Sequence, residues 1–221
     1  MGHPEVWGPA GERLTIVGLT GGIASGKTEV DRELLRLGAF VVDADQVARD
    51  VVLSGTPTHQ KLVQEFGDSI LDSRGDIDRA ALAALVFGKP DRLQLLNSIT
   101  HPAIFSEMVK RVTSYADGLG GGKVPAAVLD AALIVDTGVS GVFDVLVVLT
   151  ADEDARVKRL VESRKMIEDE ARSRIASQVP DPKRVEMADI VIENNGTLED
   201  LHLRVQELWQ EIARRAATAY S

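Results

Sequence analysis

The chain has 221 residues, 44% hydrophobic and 27% charged, with a formal net charge of −9 and no cysteine. That length suits one α/β domain with an inserted helical part, and the apolar share is ordinary for a globular core. The composition excludes disulfide and thiol chemistry and gives no generic attraction for nucleic acid or an anionic membrane surface. No apolar run reaches the ~18 residues of a membrane span, and a cytoplasmic protein is expected.

Residues 1–13 carry Pro4, Gly8, Pro9 and Gly11 and lack a secretory apolar core, so they read as a loose N-terminal extension to a single domain over 14–221. The apolar, β-branched run from Leu14 to Val17 predicts a buried strand over Leu14–Leu19. Immediately after it, Gly21, four intervening residues, Gly26, Lys27 and Thr28 form the phosphate-loop pattern G-x-x-x-x-G-K-[ST]. A triphosphate needs several donors aimed at one small, highly charged volume. Backbone N–H groups at the start of a helix supply them, and the helix dipole favours the anion. Glycines let the backbone approach closely, Lys27 brings a cation to the β- and γ-phosphates, and the Thr28 hydroxyl can ligate Mg²⁺.

Lys27–Leu37 is the expected following helix, with Gly38 as its stop signal. Ala39–Val42 predicts a second strand, ending in Asp43-Ala-Asp45 with Arg49 beyond it. Ligands of open parallel sheets sit past the carboxyl ends of strands. Two carboxylates there can take a proton from an acceptor hydroxyl and hold Mg²⁺ or its waters; equally, they can cap the next helix. The sequence leaves those duties open between Asp43 and Asp45.

Helices are predicted at Gln46–Leu53 and Thr58–Phe66, then a turn-rich stretch over Gly67–Asp78. More follow at Arg79–Phe87, Pro90–Ser98 and Pro102–Ala116, with Pro90 and Pro102 in first turns. Asp117–Lys123 is a Gly-rich connection. Strands return at Pro125–Asp130 and Val145–Thr150, the second almost wholly β-branched. Arg-rich helices are expected at Asp152–Glu162 and Glu168–Gln178, a last strand at Asp189–Glu193, and a closing amphipathic helix at Leu198–Arg214 with Trp209 on its core stripe. This alternation predicts an α/β, P-loop NTPase-type open parallel sheet of five strands with helices on both faces. Residues 14–45, 124–150 and 188–221 would form its core. Residues 46–117 would be an inserted helical lobe over the acceptor, and 152–180 a helical lid bringing cations such as Arg156, Arg159 and Arg164 over the γ-phosphate.

Several pieces in this order carry a family resemblance. They are Val17–Thr28; Leu37-Gly-Ala-Phe-Val-Val-Asp-Ala-Asp45 with Arg49; Phe66-Gly67; Gly75-Asp-Ile-Asp-Arg79; and Leu96-Asn-Ser-Ile-Thr-His-Pro102. Ala176-Ser-Gln178 and Ala188-Asp-Ile-Val-Ile-Glu-Asn-Asn-Gly196 complete the set. The chain resembles the dephospho-CoA kinase family along most of its length. The resemblance implies ATP-dependent phosphorylation of the ribose 3′-hydroxyl of dephospho-CoA, with ATP as co-substrate and Mg²⁺, in a monomer or weak homo-oligomer. It implies Asp45 as general base and Lys27 as the catalytic cation. ATP would be held by Gly22, Ile23, Ala24, Ser25, Gly26, Lys27, Thr28 and Glu29, with Arg159, Arg164 and Asn194, and the metal by Thr28. The acceptor would meet Thr20, Asp45, Arg49, Arg79 and His101.

Four places depart from the family pattern. Ala24 replaces a glycine, and Glu29 a small hydroxyl residue. Asp130-Ala-Ala-Leu-Ile-Val-Asp136 stands where many members have a Pro-Leu-Leu-x-Glu run after an acidic or an apolar residue, with Asp136 in place of the Glu. Ser163 stands where a second lid arginine is usual, with Arg164 one residue on, about 100° around the helix. Competing readings are another nucleoside or nucleotide kinase on this scaffold and a nucleotide-binding module that no longer transfers phosphate.

Overall fold

In the computed structural model, which describes residues 6–7, 13–118, 126–131 and 143–218, the apolar run at the head of the chain forms β1 (Thr15–Gly21), buried along its whole length. It is the central strand of a five-stranded sheet of order β2-β3-β1-β4-β5, with β2 at Phe40–Asp43, β3 at Ala126–Asp130, β4 at Val145–Thr150 and β5 at Ile190–Glu193. The β1–β3, β1–β4 and β4–β5 pairs are parallel. A strand flanked on both edges and covered on both faces has no polar side, which is why β1 and β4 carry apolar residues at successive positions instead of alternating them with charged ones.

Helices α1 (Lys27–Arg36) and α9 (Leu198–Thr218) share a core with one face of the sheet: Val30 and Leu34 join Leu201, Val205, Leu208, Trp209 and Ile212 against Val17, Leu19, Val147 and Leu149. Trp209 is 8% exposed, as its place on the stripe predicts. The alternate residues of β4, Leu146 and Val148, pack with Phe143 and Ala188. Helices α6 (Glu153–Arg164) and α7 (Glu168–Ala176) pair through Val157, Leu160, Ala171 and Ile175, and Ile23 and Ala24 pack against that cluster.

The chain divides into two compact units, Met1–Val42 with Val112–Ser221 and Asp43–Arg111. The second holds α2 (Ala44–Asp50), α3 (Pro57–Phe66), a 3₁₀ turn (Asp68–Ile70), α4 (Arg79–Val86) and the first part of α5 (Pro90–Asp117). It has its own core of Leu62, Ile70, Leu82, Val86 and Ile99.

The structure differs from expectation in three places. The helices predicted at Pro90–Ser98 and Pro102–Ala116 are one, α5, with Pro102 inside it. A proline removes one backbone donor, at a cost of about 3 kcal/mol in a helix interior. Burial of Ile99, Met108, Val112 and Ala116 along the same helix offsets that cost. Residues after Gln178 contain an unpredicted short helix, α8 (Asp181–Val185), with Pro182 in its first turn. Of the expected loose extension, Val6 is buried and its carbonyl accepts from the Leu14 N–H at 2.7 Å, while Trp7 bridges Arg13. The expected connection over 119–123, the strand start at Pro125, and Asp136 lie outside the described residues.

Candidate active site

The loop between β1 and α1 has two sides. On one, three successive carbonyls are capped by side chains from distant parts of the chain. Ile23 O accepts from Arg156 Nε at 2.9 Å; Ala24 O accepts from Arg159 Nη1 at 3.1 Å; Ser25 O accepts from Asn194 Nδ2 at 2.7 Å and from Arg159 Nη1 at 3.3 Å. In a trans peptide the C=O and the next N–H point in opposite directions. Fixing these carbonyls on one side therefore turns the following N–H groups to the other. Ser25 N–H closes a tight turn on Gly22 O at 3.1 Å. Among the described residues, the N–H groups of Ala24, Gly26, Lys27 and Thr28 have no acceptor. They stand at the head of α1 as a set of donors of the kind that binds phosphate oxygens.

Gly26 caps α1 at φ 110°, a conformation that side chains resist, and an added Cβ would lie 2.3 Å from Asn194 Nδ2. Glycine is required there twice over. Asn194 itself is 5% exposed, its N–H bonded to Thr150 O at 2.8 Å, so the amide is held against the loop from β5. The neighbouring Asn195 exchanges bonds with Asp152, where α6 begins.

Lys27 Nζ lies 3.9 Å from Asp130 Oδ1 at the carboxyl end of β3, both side chains largely buried. Thr28 is exposed on the first turn of α1. The Thr28 hydroxyl and the Asp130 carboxylate are oxygen donors, the type that hard divalent cations such as Mg²⁺ take. Among the described residues no three carboxylates or imidazoles converge into a protein-only metal cage. Glu29, the substitution that set a carboxylate beside the loop, turns to Arg32 and forms an ion pair one helical turn on.

The other ATP-side residues fall as follows. Arg159 donates to the loop carbonyls and, through Nη2, to Asn194 O at 2.8 Å. Arg156, expected to reach over the phosphates, is 5% exposed with its guanidinium bonded behind the loop. Arg164 is exposed at the last turn of α6, and the Ser163 hydroxyl donates back to Arg159 O. Thr20 is fully buried in β1.

In the second unit, Asp43 caps α2, its Oδ1 accepting from Asp45 N at 2.8 Å and Gln46 N at 3.1 Å. Asp45 is exposed on the first turn, and its carboxylate accepts no hydrogen bond among the described residues. Arg49 donates to Gln46 Oε1 at 3.3 Å. Arg79 is exposed at the first position of α4, after the Asp78 cap, and His101 is exposed on α5.

Sequence reasoning gave Gln178 no role and did not single out Asp181 or Arg184. Gln178 Oε1 accepts from the Ile23 N–H at 2.7 Å, which puts it in direct contact with the loop. The only sequence signal was its presence in the Ala176-Ser-Gln178 piece.

A family model described as dephospho-CoA kinase matches residues 15–200. A dephospho-CoA kinase of Corynebacterium glutamicum is 49% identical over 199 residues, spanning 90% of this chain and 98% of the relative. One from Leifsonia xyli is 43% identical, over 89% of this chain and 98% of the relative. Among solved structures, the Thermus thermophilus protein TT1252 superposes with a TM-score of 0.76 at 28% identity, covering 90% of this chain and 97% of that one.

Proposed function

The chain belongs to the dephospho-CoA kinase family, and from that premise we propose that it transfers the γ-phosphoryl group of ATP to the ribose 3′-hydroxyl of dephospho-CoA, giving coenzyme A and ADP. The observation that carries the reading is the set of N–H groups at Ala24, Gly26, Lys27 and Thr28 that have no acceptor among the described residues, with the Lys27 ammonium 3.9 Å from Asp130 at the end of β3.

Phosphoryl transfer asks the protein mainly for positioning and charge stabilisation. The loop N–H groups cradle the phosphates of ATP. Lys27 neutralises the charge that develops between the β- and γ-phosphates, and its partner Asp130 keeps the ammonium at the loop. Thr28 would hold Mg²⁺, which would supply further neutralisation of the phosphate oxygens. Asp45 is the general base that takes the 3′-hydroxyl proton. Its carboxylate is free of helix duty, whereas Asp43 already accepts two backbone N–H groups. Arg49, Arg79 and His101 hold the acceptor from the lobe over 43–111, and Arg164 supplies a cation from the end of α6. Thr20, buried beside the loop in sequence, shapes the strand end. The protein works as a monomer or weak homo-oligomer in the cytoplasm; no helix among the described residues is long and apolar enough to cross a membrane.

A coupled assay of ADP release, run with dephospho-CoA, adenosine and buffer alone, tests the reading. Rapid release with dephospho-CoA only is the expected result. Equal rates with adenosine would make it a nucleoside kinase, and equal rates in buffer an ATPase.

A further inference from the structure

We propose that Arg156 and Gln178 are positioning residues that grip both ends of Ile23 in the phosphate loop, with Asp181 and Arg184 holding Arg156 in place. The proposal rests on the loop being the ATP site.

The geometry is a closed circuit. Gln178 Oε1 accepts from the Ile23 N–H at 2.7 Å and from Arg156 Nη2 at 3.1 Å. Arg156 Nε donates to Ile23 O at 2.9 Å, and its Nη1 donates to Asp181 Oδ2 at 3.2 Å. Asp181 Oδ1 accepts from Arg184 Nη1 at 2.9 Å. All three nitrogens of Arg156 are thus engaged, in a fork that a lysine cannot copy. Arg156 is 5% exposed and Arg184 2%. Two guanidiniums on one carboxylate are costly to bury, and burial lowers the pKa of Arg156, with Asp181 opposing that shift. Such a network would be a poor choice if only stability were at stake, since apolar residues of similar volume fill space as well.

What the circuit fixes is a peptide plane. With Ile23 O held outward by Arg156, the Ala24 N–H must face the opposite side, where it joins the phosphate donors. Ala24 sits at φ 60°, a left-handed conformation that costs a residue with a side chain about 1 kcal/mol and persists when its surroundings impose it. Gly22 belongs to the same device: a Cβ there would lie 2.4 Å from Arg156 Nη2. Gln178 follows α7 and Asp181 opens α8, so the short helix that the sequence did not announce has a purpose: it carries the anchor for Arg156.

The test compares Gln178→Ala, Gln178→Glu and Arg156→Lys with wild type by Mg-ATP calorimetry, steady-state kinetics and thermal unfolding. Gln178→Ala and Arg156→Lys should weaken ATP binding by about tenfold, the loss of one oriented donor, with the KM for dephospho-CoA within about twofold. Gln178→Glu keeps the acceptor oxygen for both donors and should restore ATP affinity to within about threefold. ATP affinity at wild-type level in folded Gln178→Ala and Arg156→Lys would overturn the proposal. So would loss of fold in both variants, which would make the circuit a structural support. If wild type fails to phosphorylate dephospho-CoA yet the variants lose ATP affinity, the functional reading falls and the positioning role stands.

Discussion

The phosphate loop and the segment from Asp43 to Arg49 would both take part in transfer, but they are built in opposite ways. The loop is held from afar: its bonds to Arg156, Arg159, Gln178 and Asn194 reach across 133 to 169 residues of chain. In the Asp43–Arg49 segment the corresponding side-chain hydrogen bonds are local. Asp43 caps Asp45 and Gln46, and Arg49 leans on Gln46 three residues back. The donor side is therefore rigid by tertiary structure, with its carbonyls satisfied and its N–H groups aimed. The Asp43–Arg49 segment, proposed to meet the acceptor, is a locally capped helix in which the Asp45 carboxylate accepts no hydrogen bond among the described residues. Substitutions far from the loop should reach ATP, whereas substitutions in the acceptor segment should act where they are made.

The largest effect that would break this division comes from Asp45→Asn. Loss of a general base should lower kcat by about 10²–10⁴-fold in the coupled assay. Residual turnover within fivefold of wild type would remove Asp45 from that role. Lys27→Ala should lower kcat/KM for ATP by about 10²–10³-fold, because the N–H groups remain and the cation is lost. Near-normal turnover would contradict the phosphate assignment. Asp43→Ala sharpens the contrast within the acceptor segment. It should cost about 1 kcal/mol in urea unfolding as a lost helix cap, and reduce turnover far less than Asp45→Asn. A loss in kcat as large as that of Asp45→Asn would exchange the two aspartates' roles.

The smallest effect concerns how α1, which carries Lys27 and Thr28, is seated. Glu33 is 4% exposed on α1, and bonds from Arg36, with another from Gln206 on α9, hold its pKa near 2 against an ordinary 4.5. A carboxyl with a depressed folded pKa adds stability that is fully present above about pH 4.5 and fades as pH falls toward 2. Melting temperature measured from pH 5 to pH 2 should fall less steeply in Glu33→Gln than in wild type; parallel slopes would show that Glu33 contributes no acid sensitivity.

The same contrast explains what the sequence made legible. The loop motif, the apolar strands and the stripe bearing Trp209 are short-range patterns, and each led to the right element and the right sheet. Pro102 misled because a proline in a first turn and one inside a packed helix look alike until burial on both sides is known. Helix α8 is too short to show a period. Arg156 reads in sequence as one more charge on an Arg-rich helix, and that helix was expected to bring it over the γ-phosphate. Only folding shows it 5% exposed, with Ile23 on one side and Asp181 on the other. Glu29 is the opposite case, since its partner Arg32 lies only three residues on.

The division of labour is tested most directly by titrating Mg-ATP into Asp45→Asn beside wild type in a calorimeter. If the nucleotide is held by the loop and the acceptor hydroxyl is activated separately, the two proteins will bind ATP with dissociation constants within about threefold of each other. A tenfold or greater loss of ATP affinity in the variant would contradict the account and place Asp45 among the groups that hold the nucleotide.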